Sequence, residues 1–161
     1  MTTTRPKTQT LTDFEPPIRP GAPAADVQRL WFATLKKEWS SLVILPAQPG
    51  QSVLGLAKAL VDVGTLHRGT QVKLLSAEGV DVSGTSRLIL EMTSHVSAGG
   101  VVVVALESVL SQPSGIPVAL AADAALLCVR LGTTDAEAAA RTVEAIGENR
   151  FLGAVTLKQT R

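Results

Sequence analysis

Ser41-Leu42-Val43-Ile44-Leu45-Pro46-Ala47-Gln48-Pro49-Gly50-Gln51-Ser52-Val53-Leu54 is the passage that decides the fold. Residues 42–45 form an unbroken apolar run with β-branched members, the pattern of a parallel strand covered by helices on both faces. Pro49 and Gly50 then mark a tight turn over residues 47–51. Ser52 is a suitable N-cap, and Val53, Leu56, Ala57, Leu60, Val61 and Val63 recur at helical spacing up to Gly64, where a C-cap is expected. Strand, turn and helix in that order are half of a β-α-β unit.

Working outward, Asp26 opens a helix in which Val27, Leu30, Trp31, Thr34 and Leu35 share a face and which is expected to end near Trp39. Downstream, strands are expected at 72–76, 101–106, 125–131 and 152–157. The third strand of the chain, Val101-Val102-Val103-Val104, is the clearest, because successive valines suit a pleated surface and disfavour a helix. A polar stretch over 77–84 precedes a helix at 85–95. Residues 111–117 read as a Pro/Gly loop, and Thr134-Asp135-Ala136-Glu137 has capping-box spacing for a last helix that Gly147 stops. The expectation is an α/β fold, a doubly wound and mainly parallel sheet of about five strands with helices on both faces. Residues 1–25, with Pro6, Pro16, Pro17, Pro20 and Pro23, are expected to be a flexible Thr/Pro-rich arm preceding one α/β domain over 26–161.

Composition narrows function. Lys+Arg 15 against Asp+Glu 14 leaves a formal net charge of +1, without the basic footprint that captures a phosphate backbone. Tyrosine is absent and aromatics make up 3%, so stacking platforms for single strands are lacking. Charged residues, 18% of the chain against roughly 25% in typical domains, point to well-buried strands. Cys128 is the sole cysteine, so no intramolecular disulfide and no thiolate cluster can form. Its apolar neighbours mark it as a core residue. A polar start and the lack of any run of roughly 18 apolar residues lead to the expectation of a cytoplasmic protein without membrane insertion.

The order of motifs resembles the P-loop ATPases of the bacterial tyrosine-kinase, ParA and MinD group, and most of all the cytoplasmic kinase domain of polysaccharide co-polymerases. Residues 27–35 (VQRLWFATL) look like that family's first helix, and residues 41–51 like its strand and Ser-Ala-x-Pro-Gly-Glu-Gly-Lys-Ser-Thr loop. Cys128-Val129-Arg130-Leu131-Gly132-Thr133-Thr134 is similar to its Val-Arg-x-Gly-x-Thr strand end, and residues 152–157 to its final strand. The likeness spans residues 26–157.

The departures carry the functional expectation. The family's Gly, Lys and Ser/Thr positions fall on Ser52, Val53 and Leu54, so the cation that neutralises β/γ-phosphates and the hydroxyl that holds magnesium are both replaced. The alternative spacing Gly50 to Gly55 puts Leu56 and Ala57 in those places. In the second acidic motif the first carboxylate becomes Ser76 while Glu78 remains, and in the third the aspartate becomes Ala105. A lone carboxylate makes a poor magnesium site. Without tyrosine, autophosphorylation on that residue is excluded.

The degenerate loop Pro49, Gly50, Gln51, Ser52, Val53 and Leu54 is therefore expected to have no catalytic role and no metal or cofactor. Lys58 is a candidate anion contact, since helical side chains lean toward the N-terminus, and the backbone N–H groups near Gln51 and Ser52 could hold an anion. Trp31 and Trp39 are candidates for the core or for a protein interface. His67 and His95 stand alone, without partners at metal-ligand spacing. The sequence thus implies a pseudo-ATPase-like scaffold or regulatory partner, pairing with itself as a homodimer or with another, membrane-associated protein. The resemblance points to polysaccharide or cell-surface assembly. The alternative is a nucleotide sensor that binds without hydrolysis.

Overall fold

A computed structural model describes residues 25–132 and 134–157; the expected arm over residues 1–24 lies outside them. The elements are α1 (Ala25–Thr34), β1 (Ser41–Pro46), α2 (Leu54–Arg68), β2 (Lys73–Ser76), α3 (Val82–Ser97), β3 (Val102–Ala105), α4 (Gly115–Ala121), β4 (Ala124–Arg130), α5 (Ala136–Ile146), a 3-10 turn (Glu148–Arg150) and β5 (Phe151–Leu157). All pairings are parallel and the strand order is β2-β3-β1-β4-β5. The fold is therefore the α/β class expected, a five-stranded parallel sheet between two helical layers.

Alternation along the strands divides the core. Leu42, Ile44, Val103, Ala105, Leu126 and Val155 pack under α1 and α2. Val43, Leu45, Val102, Val104, Leu127 and Ala154 pack under α3, α4 and α5. Every residue of β1 and β3 is buried, as a strand covered on both faces requires.

Strand limits lie within one residue of the expectations, and four larger differences among the helices each have a local reason. Helix α1 stops at Thr34 rather than near Trp39, because the Thr34 hydroxyl returns to the Trp31 carbonyl (2.7 Å) and the Trp39 indole N–H takes the Thr34 carbonyl (3.0 Å). Helix α2 runs through Gly64 to Arg68 and closes on Gly69, whose φ of 77° is the left-handed cap. Gly64 instead faces Trp31, since a Cβ there would lie 2.6 Å from the indole Cη2. Helix α3 begins at Val82 because Asp81 accepts from the Gly84 N–H (3.1 Å) and caps it. The expected Pro/Gly loop ends in the first turn of α4, residues 115–117; Pro117 sits there, where a missing N–H costs nothing.

Candidate functional site

In an open parallel sheet the strand order reverses at a switch point, and the crevice beyond the strand C-termini there is the usual binding place. Here β1 feeds α2 toward β2 and β4 feeds α5 toward β5, so the switch lies between β1 and β4. The loop after β1, residues 47–53, stands at its mouth.

The β1–β4 ladder stops just below this mouth. Ala47 N–H still donates to the Cys128 carbonyl (2.9 Å), and a continuing ladder would next join Arg130 N–H to the Ala47 carbonyl. Two threonines intervene. The Arg130 N–H donates to Thr134 Oγ1 (2.7 Å), while the buried Thr142 hydroxyl lies 2.9 Å from the Ala47 carbonyl and 2.9 Å from that of Ala138. The strands part, and the Gln48 side-chain carbonyl fills the opening by accepting the Asp135 N–H. Asp135, rather than the expected Thr134, is the cap of α5, accepting from Glu137 N–H (3.1 Å).

Further polar ties run along the same rim. Ser52 donates its hydroxyl to Glu78 Oε2 (2.6 Å) and accepts from Leu54 N–H (3.2 Å). The formal N-cap of α2 is Val53, which has no capping side chain, so Ser52 acts one residue ahead of its expected position. Glu107 Oε2 accepts the Gly79 N–H (2.8 Å), and Gln112 and Ser114 both donate to the Val80 carbonyl (2.7 and 3.0 Å). The loop after β1 is thus joined to those after β2 and β4, and the loop after β3 to that after β2.

Charge on this rim has one dominant sign. Its loops, residues 47–53, 77–81, 106–114 and 131–135, carry Glu78, Asp81, Glu107 and Asp135 and neither lysine nor arginine; Arg130 ends β4 beside them. Asp81 is held below the usual carboxylate range, first by the Ser83 hydroxyl and then by the Gly84 N–H, and so stays charged.

The residues singled out from sequence separate. Pro49, Gly50, Gln51, Ser52, Val53 and Leu54 do form the loop at the switch point, with Pro49, Gly50 and Ser52 exposed and Val53 only 2% exposed. Lys58 is exposed on the second turn of α2, whose buried face is Leu56, Ala57, Leu60 and Val61. Trp31 is a core residue, 1% exposed, with its N–H donated to His67 Nδ1 (3.1 Å), whereas Trp39 is half-buried and stacks edge-on against it at 5.7 Å. His67 also meets Phe32 edge-on at 4.9 Å. Ser76 Oγ accepts the Glu78 N–H (3.3 Å), and Ala105 is buried.

Cys128 is buried and its thiol is pushed up to about 12 by desolvation, which leaves it unreactive. Among the described residues no group of His, Cys, Asp or Glu is arranged to hold a metal ion, and no helix is long and apolar enough to cross a membrane. Sequence reading overlooked Gln48, Thr142 and Glu107; a buried-helix threonine and a loop glutamine carry no spacing signal, because their partners lie far along the chain. Neither family models nor curated protein sequences match this chain.

Proposed function

We propose that the protein is a non-catalytic scaffold or regulatory partner built on a P-loop-like frame, acting by binding proteins, itself included. The observation that carries the reading is the loop at the switch point: a buried Val53 and the apolar Leu54, beneath an acidic rim, stand where the resemblance would put the phosphate-binding cation and the metal-holding hydroxyl. A triphosphate brings several negative charges. The rim carboxylates oppose them, and these loops carry no lysine or arginine to offset that. Glu78, the surviving acid of the expected metal site, is turned to Ser52 instead.

The same features weigh against a nucleotide sensor, since Leu54 N–H is already taken by Ser52 Oγ and Lys58 lies on the exposed side of α2. A role in polysaccharide or surface assembly belongs to this proposal through the resemblance alone, and a cytoplasmic setting through the polar start and the lack of a long apolar run. Calorimetric titration with ATP, ADP, GTP and cyclic dinucleotides, each with and without magnesium, is expected to give flat traces. Saturable heat that disappears in Lys58→Ala would establish the sensor, and magnesium-dependent turnover abolished by changes in residues 49–54 would establish an enzyme.

A further inference from the structure

The two edges of the sheet are built differently. At one edge β2 is only Lys73–Ser76, its lysine paired with Glu91 (3.3 Å) and its Ser76 hydroxyl bonded to the Glu78 N–H. Short length and an edge lysine are the usual protections against pairing with another chain. At the other edge β5 is Phe151–Leu157, Phe-Leu-Gly-Ala-Val-Thr-Leu, with no charge and no proline, and its register shift is confined to its start, so that Gly153–Leu157 run regularly beside β4.

Peptide directions follow from the ladder. The Leu157 carbonyl accepts Leu131 N–H (2.9 Å), and Arg130, Cys128 and Leu126 are the partners of Leu157, Val155 and Gly153. Those alternate residues face β4. Ala154 and Thr156 therefore turn their N–H and C=O groups away from the sheet, and among the described residues no backbone group meets them.

We propose that the β5 edge is a self-pairing surface, on which a second copy of this chain adds its own β5 antiparallel about a two-fold axis near Val155. Ala154 of one copy then opposes Thr156 of the other, and each pair exchanges N–H···O bonds in both directions. A second copy is the occupant that fits because a two-fold axis sets every edge residue against the same strand reversed. A charged strand would repel itself there, whereas this one is neutral throughout, and Gly153, Ala154 and Thr156 are small enough for close approach. The contact is isologous and closes at two copies, giving a continuous ten-stranded sheet.

This pairing deepens the scaffold reading, in which the protein binds copies of itself, and fails separately from it: a monomer would leave the nucleotide titrations as they are. The test is sedimentation velocity of the full chain over a wide concentration range, with residue-resolved amide exchange. Wild type is expected to reach dimer mass, with the Ala154 and Thr156 amides gaining protection as concentration rises. Thr156→Lys sets a charge on the edge. Ala154→Pro removes an N–H that no bond among the described residues uses. Both are expected to sediment as monomers, with the circular dichroism of wild type. If Ala154→Pro unfolds, Thr156→Lys alone decides. A wild type that stays monomeric overturns the proposal, as does a dimer indifferent to Thr156→Lys. Protection of both amides in a dilute monomer also overturns it, by showing the edge covered by the chain's own residues 1–24.

Discussion

The seam between α1 and α2 and the rim of loops beyond the strands hold the same protein by opposite means. At the seam, Trp31 lies against Gly64 so closely that no Cβ fits, its N–H is satisfied by His67, and Trp39 closes over it. Fit there comes from volume. On the rim, Ser52–Glu78, Glu107–Gly79 and Gln48–Asp135 are polar ties between mostly exposed groups. Each such bond contributes about 0.5–1.5 kcal/mol net at most, because water competes for both partners. Stability resides in the seam, and the rim is the part free to change without unfolding the domain.

Trp31→Ala should break the seam most severely. Removing a fully buried indole costs about 3–5 kcal/mol, and His67 Nδ1 also loses its donor. Denaturant titration is expected to show a lower midpoint with an unchanged slope. A loss near zero would mean that α1 is not docked as described.

Gly64→Ala should come next. Alanine is about 1 kcal/mol better than glycine in a helix interior, which on an open face would stabilise α2. Here the new methyl meets the Trp31 ring at 2.6 and 2.7 Å, and overpacking of this kind costs about 1–3 kcal/mol, so net destabilisation of roughly 1 kcal/mol is expected. The sign is the test, with Gly55→Ala as its control: nothing lies within 4 Å of a Cβ at Gly55, which is exposed in the same helix. Opposite signs for the two substitutions would show that the indole, not helix propensity, sets the value at Gly64.

The same contrast explains what could be read from the chain. Val101 to Val104 and Leu42 to Leu45 announce buried parallel strands because the information is local, and the seam's Trp31 lies on an apolar stripe visible at helical spacing. Gly64 read as a stop because a glycine ending an apolar stripe usually caps a helix; its true partner lies 33 positions upstream, beyond any window. Pro113, Gly115 and Pro117 concealed α4 for the converse reason, since proline in a first turn and proline in a loop look alike. On the rim, the position of the loop after β1 was legible. The ties of Ser52, Gln48 and Thr142 were not, as each joins segments brought together only by the sheet.

Thr142→Val tests where seam and rim meet, because this hydroxyl is buried like the seam yet bonds like the rim. The substitution preserves shape and leaves the Ala47 carbonyl without its donor at the parting of β1 and β4. A loss of about 1 kcal/mol is expected, at the low end for an unsatisfied buried acceptor because the one hydroxyl proton is shared with the Ala138 carbonyl. Thr142→Ser, which keeps the hydroxyl, should recover part of it. Faster exchange of the Asp135 amide in the valine variant alone would show that the parting of the strands and the Gln48 tie are coupled.

Ser52→Ala should have the smallest effect. The hydroxyl is exposed, its bond to Glu78 competes with water, and the cap it lends to Leu54 N–H lies ahead of a helix already anchored by Leu56, Ala57 and Leu60. A change of a few tenths of a kcal/mol is expected, at the low end for lost caps. The informative readout is therefore the Leu54 amide. With the Ser52 oxygen gone, Leu54 N–H loses its acceptor and should exchange faster with solvent. An unchanged Leu54 amide would mean that the rim is held without this tie. A Ser52→Ala loss as large as that of Gly64→Ala would erase the distinction between the two regions.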